Sequence, residues 1–157
     1  PNKVVKEDLE DGVLSLPKME KLSFIKPECV YKDSRFDFYV KDCVGQEAYI
    51  EVKGVTLETH FHCFFPDAPT ERGLKHVNEL IQLSELGTKT YLLLVIQMEG
   101  IKTFSPNWET HRAFGLALQE AEKKGVKILP IGCNVSSTSI VLNPHYTVPL
   151  LLENSNE

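Results

Sequence analysis

The sequence predicts an α/β fold in three layers, a mixed central sheet flanked by helices. Three observations predict it. Tyr91-Leu92-Leu93-Leu94-Val95-Ile96 is apolar throughout, the pattern of a strand covered on both faces. Arg35-Phe36-Asp37-Phe38 and Tyr49-Ile50-Glu51-Val52-Lys53 alternate apolar with polar residues, the period of half-buried strands. Segments of helical period, at 71–86 and 108–124, are interleaved with these strands.

The totals set limits on function. At 157 residues the chain is of ordinary single-domain length, and 42% hydrophobic with 25% charged residues is globular composition. A net charge of −5 argues against a domain that coats nucleic acid through overall basicity, though not against a local basic groove. Cys29, Cys43, Cys63 and Cys133 are scattered without CxxC spacing, which indicates neither a zinc site nor a disulfide framework. A reducing, cytoplasmic setting follows. No apolar run approaches about 18 residues, so no membrane-spanning helix is expected, and no signal peptide is visible. The chain starts at Pro1 without a methionine and reads as a fragment of a longer protein.

A short amphipathic helix is predicted around Val5 and Leu9, with Asn2 as its N-cap and Gly12 as its stop. Val13 to Lys26 contains Pro17 and no clean period, and reads as a loop with room for one more helical turn. Cys29–Lys32 is the first strand and leads into the second, where Phe36 and Phe38 share one face and Arg35, Asp37 and Tyr39 the other. Lys41–Gln46 suits a hairpin turn. In the third strand Ile50 and Val52 face one way and Glu51 and Lys53 the other, with the strand running on through Val55 and Leu57. The stretch from Thr59 to Phe65 loses the pattern and enters a proline-punctuated loop at Pro66–Pro69.

Thr70 then caps a helix that Gly87 closes. Leu74, Val77 and Ile81 form its apolar side, and Arg72, Lys75, His76 and Glu79 its polar one. After the apolar strand, Ser105-Pro106-Asn107 opens a helix from Trp108 to Lys124. Val126–Ile131 is a strand that Pro130 places near a sheet edge, Ser139–Leu142 is a short final strand, and the tail from Glu153 is polar.

If the second and third strands pair, Asp37 and Glu51 meet on one face with Lys53 two residues along. By alternation alone this is better explained by the solvated face of an antiparallel sheet. The apolar 91–96 strand demands helices on both faces, however, and so places Glu51 under cover or at a cleft. A buried carboxylate needs a partner, and a divalent cation is one; hard oxygen ligands select magnesium or manganese. His60-Phe61-His62-Cys63 lacks a second half-site and reads as polar surface rather than a zinc site. Phe104 and Trp108, near a helix start, read as core packing.

Ser34-Arg35-Phe36-Asp37-Phe38, Tyr49-Ile50-Glu51-Val52-Lys53-Gly54-Val55-Thr56-Leu57, Phe65-Pro66-Asp67-Ala68-Pro69-Thr70-Glu71-Arg72-Gly73-Leu74-Lys75-His76 and Leu94-Val95-Ile96-Gln97 together resemble the sugar fermentation stimulation protein family, SfsA. Pro1–Val5 and Gly125–Leu129 fit the same family. The resemblance implies a restriction-endonuclease-like domain of the PD-(D/E)XK type over residues 1–157, without the OB-like domain that precedes it in such proteins. It implies catalytic roles for Asp37, Glu51 and Lys53, and Mg2+ or Mn2+ held by Asp37, Glu51 and the Val52 carbonyl. Phe36 stands where the wider superfamily has a proline. DNA is the implied partner, contacted through Arg35, Arg72, Lys75 and His76. Glu7, Asp67 and Gln97 are additional candidates, each with a plainer reading: a surface helix residue, a loop cap and a strand terminus.

Two functions stay open on this ground. One is a Mg2+-dependent deoxyribonuclease. The other is a non-catalytic DNA-binding regulator of sugar-utilisation (maltose) genes with a vestigial nuclease site. No membrane partner is expected, and the oligomeric state is open, a homodimer included.

Overall fold

A computed structural model describes residues 1–136 and 139–154. Six strands form a mixed sheet in the order β1-β2-β3-β6-β8-β9. They are β1 (Leu22–Tyr31), β2 (Ser34–Asp42), β3 (Glu47–Val55), β6 (Lys89–Ile96), β8 (Lys127–Val135) and β9 (Ile140–Thr147). β1, β2 and β3 form an antiparallel meander; β3, β6 and β8 run parallel; β9 returns antiparallel at the far edge. Helices α2 (Glu71–Glu85) and α3 (Arg112–Lys123) cover one face, and α1 (Asn2–Glu10) with the loop after it covers the other. The three predicted layers are present.

Each face has its own core. Leu92, Leu94 and Ile96 pack under α2 and α3 against Leu80, Phe114 and Leu118, whereas Tyr91, Leu93 and Val95 pack under α1 against Val5 and Leu9. This is what the unbroken 91–96 run requires: alternate residues feed opposite cores, so no position in it can be polar.

Helix α2 matches its prediction closely. Thr70 Oγ1 accepts from the Gly73 amide at 2.9 Å, satisfying a donor that the first helical turn leaves unpaired. Gly87 follows with φ +91, a conformation that disfavours a side chain.

Several expectations are corrected. β1 starts at Leu22 rather than Cys29, because an edge strand tolerates Pro27 while pairing with β2 through its remaining groups. Phe36 and Phe38 do not share a face: Phe36 joins the core under α2, and Phe38 the core under α1. Glu28, across from Asp37 on β1, has φ +54 and marks where the regular alternation breaks. The N-cap of α1 is Pro1; Asn2 is the first helical residue, and its side chain is used elsewhere.

The third strand ends at Val55. The chain then builds a second, three-stranded sheet from β4 (Leu57–Thr59), β5 (His62–Phe65) and β7 (Thr103–Pro106), in the order β4-β5-β7. Residues 103–106 are therefore strand, and α3 starts at Arg112, four residues after Trp108. These strands are three or four residues long, too short for a period to declare itself. β8 is not an edge strand, since β9 lies outside it. Pro130 is tolerated just beyond the last β8–β9 pair, where its carbonyl accepts from the Val148 amide. The end of the polar tail, 155–157, lies outside the described residues.

Candidate active site

Asp37 and Glu51 come together where β2 leaves β3. The β2–β3 ladder runs as far as Phe38↔Ile50, and beyond it the Val52 amide has lost its strand partner. The Asp37 carboxylate takes that amide instead, Oδ2 accepting from Val52 N at 2.7 Å. Its other oxygen accepts from the Asn2 side chain at 2.6 Å. Asp37 thus substitutes for main chain at the fork, which fixes its position to within one hydrogen bond of β3.

Glu51 is buried, 2% exposed, on the α2 side of β3. Its Oε2 accepts from Lys53 Nζ at 2.9 Å and from Nδ1 of His76 on α2. Lys53 Nζ and His76 Nδ1 lie 3.5 Å apart. An ammonium has only donors, and this ring nitrogen must carry its proton to reach the carboxylate. The two are convergent donors on one oxygen rather than partners of each other.

The carboxyls divide the charge between them. Asp37 is pushed up to about 6, first by burial and then by the hydrogen bond and charge of Glu51. Burial acts against charge on Glu51 too, but His76, Asp37 and Lys53 outweigh it and hold the group down at about 2. A single proton between two carboxyls, held on Asp37, is the resulting state below that pH. Such a shared position suits a hard divalent cation, which can replace the proton and satisfy both groups. Among the described residues no group of three or more His, Cys, Asp and Glu could hold a metal ion. Any ion held here would have to draw on the two carboxylates and on main-chain oxygen, Val52 being the nearest source in sequence.

A cleft of about 520 Å³ is lined by Ser34, Arg35, Arg72, Lys75 and His76 together with Asp33 and Glu71, and meets the carboxyl pair through His76. All four residues assigned to nucleic acid from sequence line it. They are not equivalent. Arg35, Arg72 and Lys75 are exposed, and Lys75 is bonded to Asp33 at 3.2 Å. His76 is 4% exposed and faces Glu51, so the solvated helix face predicted for it and Glu79 is overturned. Glu79, 6% exposed, accepts from Ser34 Oγ at 2.5 Å. The cause is the β1–β2 end of the sheet, which reaches over this side of α2 and covers it.

The three additional candidates stand in different surroundings. Glu7 is exposed, five residues along α1 from Asn2; the α1 residue that reaches Asp37 is Asn2. Asp67 is exposed and bonded to Thr56 Oγ1 at 3.4 Å, which ties the loop to the end of β3. Gln97 lies against Gly54, next to Lys53: a Cβ on Gly54 would come within 2.4 Å of Gln97 Nε2 and 3.3 Å of Pro1. His62 is bonded to Thr103 and Ser105 across the small sheet. Sequence reasoning missed Asn2 at the site and the Ser34–Glu79 bond. The one available signal was Asn2 at a helix start, which has a commoner explanation as a cap.

The fold agrees with that of known proteins. Residues 1–139 match the sugar fermentation stimulation protein RE domain. The sugar fermentation stimulation protein homolog of Desulfitobacterium hafniense (strain DSM 10664 / DCB-2) is 47% identical over 152 residues, covering 96% of this chain and 64% of that protein. The homolog of Clostridium beijerinckii is 46% identical over 149 residues, covering 95% of this chain and 64% of that protein. The structure of Pyrococcus furiosus SfsA in complex with Ca2+ superimposes with a TM-score of 0.84 at 25% identity, over 95% of this chain and 63% of that one. The chain thus spans a little under two thirds of the length of these relatives.

Proposed function

The chain belongs to the sugar fermentation stimulation protein family, and we propose that it is a divalent-cation-dependent phosphodiesterase acting on DNA. One observation carries the proposal. Asp37 is held on the Val52 amide at 2.7 Å, one residue from the buried Glu51, and the Lys53 ammonium lies 2.9 Å from Glu51. Asp37, Glu51 and the Val52 carbonyl are the residues that would hold Mg2+ or Mn2+; the relative described with Ca2+ supports a divalent ion in this fold. When bound, such an ion supplies Lewis-acid stabilisation of a phosphoryl oxygen and a more acidic water.

The remaining steps fall to the chain's own side chains. Asp37 must give up its shared proton before it can act as a ligand. Lys53, released from Glu51, is then free to orient the attacking water or to lower its pKa. His76 remains on Glu51 and keeps that carboxylate ionised and aimed. Arg35, Arg72 and Lys75 offer three cations to the phosphates of a strand lying in the cleft. The N-terminal turn of α2, beside them, adds its dipole.

A specific observation favours the alternative of a non-catalytic DNA-binding regulator. Glu51 Oε2 is already satisfied by two donors, so the metal-free arrangement is closed on itself. One experiment separates the readings. Single-stranded, nicked and duplex DNA are incubated with the protein in Mg2+ or Mn2+ and then in chelator, beside Asp37→Ala. Metal-dependent cleavage that the variant loses is the expected result. Binding that the variant retains, with no cleavage of any substrate, leaves the regulator.

A further inference from the structure

We infer that the outer part of the α2-side face of β1–β3 is a stacking platform for the bases of single-stranded DNA. The inference rests on the reading of the chain as a DNA phosphodiesterase and adds the form of the DNA. Tyr49 stands two residues before Glu51 on β3 and therefore shares the face of Glu51 and Lys53. From Tyr49 the aromatic rings run outward across the strands. Tyr49 to Tyr39 is 5.3 Å between centroids, Tyr49 to Tyr31 is 5.6 Å, and Tyr39 to Phe24 is 6.2 Å. Inward, Phe36 links Tyr49, at 5.6 Å, to His76, at 5.9 Å, the residue that holds Glu51. Phe36 and His76 are themselves buried, so the rings connect to the site through the core, and the accessible part of the stripe is the outer one.

Helix α2 reaches this part of the sheet near the β1–β2 turn, through Lys32 to Gln82 at 3.2 Å and Ser34 to Glu79. Farther out the rings are reached by solvent to different extents. Phe24 is 50% exposed, and Tyr31, Tyr39 and Tyr49 are half-buried. Neighbouring rings meet at interplanar angles of 54° to 65°, so they do not close flat against one another. Solvent reaches the row most at Phe24 and in part at Tyr31, Tyr39 and Tyr49, which leaves apolar surface for a ligand to cover.

The charges beside it fit phosphates. Strand register sets Lys26 opposite Tyr39 and Lys41 opposite Phe24, both lysines exposed. In a protein of net charge −5, cations alternating with rings on one face are a local arrangement, not a consequence of overall composition. Glu47 borders the stripe and is engaged by the Tyr39 hydroxyl. Rings for bases and lysines for the intervening backbone are the two requirements of single-strand binding. A duplex keeps its bases stacked inside and offers the rings nothing to stack on. A second copy of the chain is the competing occupant of the same face.

Binding of labelled oligo(dT), an abasic strand of equal length and a duplex is measured by fluorescence anisotropy in chelator, where nothing is cleaved. Oligo(dT) is expected to bind at least roughly fivefold tighter than the abasic strand, and Phe24→Ala and Tyr39→Ala each to weaken it by roughly fivefold or more. The abasic strand is expected to be indifferent to both variants, while Lys26→Gln weakens both strands. Thermal melting of Phe24→Ala, whose ring is largely exposed, confirms that the fold is intact. Equal affinity for the two strands overturns the platform, as does oligo(dT) binding that ignores Phe24→Ala. A concentration-dependent dimer that Phe24→Ala dissociates assigns the face to a second copy and also overturns it. Hydrolysis of bis(p-nitrophenyl) phosphate in Mn2+ reads the carboxyl site without bases. Its absence would sink the phosphodiesterase reading while leaving the oligo(dT) preference standing.

Discussion

Strand β2 carries an aspartate near each end, and the two are in opposite electrostatic states. Asp42, at the hairpin end, is 1% exposed and accepts from the amides of Glu20 at 2.9 Å, Gln46 at 2.8 Å and Val44 at 3.2 Å, and from the Gln46 side chain at 2.8 Å. Burial opposes its charge, but these donors outweigh it and lower its pKa. Asp37, at the fork, has two donors and a second carboxyl beside it, and its pKa rises to about 6. Asp42 is a finished structural element. Asp37 has fewer donors and keeps its proton to a higher pH. The difference teaches that burial alone does not set a carboxyl's state; how much of its acceptor capacity the surrounding donors fill does.

The largest expected effect is on Asp37→Ala, which should cut metal-dependent cleavage by a factor of about 10³ or more while leaving the fold intact. Asp42→Ala should leave the chemistry of the site unchanged, and cleavage assays on the two variants check the contrast directly. If both variants lose activity equally, the comparison breaks.

His76→Ala should follow, lowering cleavage by about 10–100-fold, since it removes the donor that aims Glu51. Glu51 should then titrate higher, which carboxyl chemical shifts read across an acid titration. An unmoved Glu51 would mean that His76 is core packing alone.

Asp42→Ala should lower the melting temperature by roughly 5 °C or more, because four donors lose their acceptor at once. Circular dichroism melts check this.

The smallest effect concerns pH. The folded pKa of Asp37 lies above its unfolded value, so the native state binds the extra proton between about 4 and 6. Its contribution is fully present below the unfolded value and is lost as pH rises through the folded one. Asp37→Asn keeps an acceptor for the Val52 amide and should raise the melting temperature of metal-free protein by a few degrees near pH 8, with no gain near pH 4.5. Melts of both proteins in chelator at the two pH values test it, and a gain at the acid end alone would reverse the sign.

Much of this was legible in the chain, for reasons local to it. Period two in Tyr49–Lys53 sufficed to set Glu51 and Lys53 on one face, because in a strand neighbours two apart share a side whatever covers them. Thr70 and Gly87 bounded α2 because capping is a short-range hydrogen-bond problem. The Phe36 and Phe38 assignment failed because the break in alternation arises opposite, at Glu28 on β1. The small sheet was invisible because β5 and β7 pair in parallel across about 40 residues, each too short to show a pattern.

The sequence alone determined the order of most elements, the two-sided burial of Tyr91–Ile96, and the residue types of the Asp37, Glu51 and Lys53 set. These depend on interactions within a few residues of one another. Only the tertiary structure decided that Asn2 reaches Asp37, that His76 and Glu79 turn inward, and that Asp42 and Asp37 differ at all. Those outcomes depend on which donors arrive from distant strands and helices, and a carboxylate's state is set by what surrounds it in space.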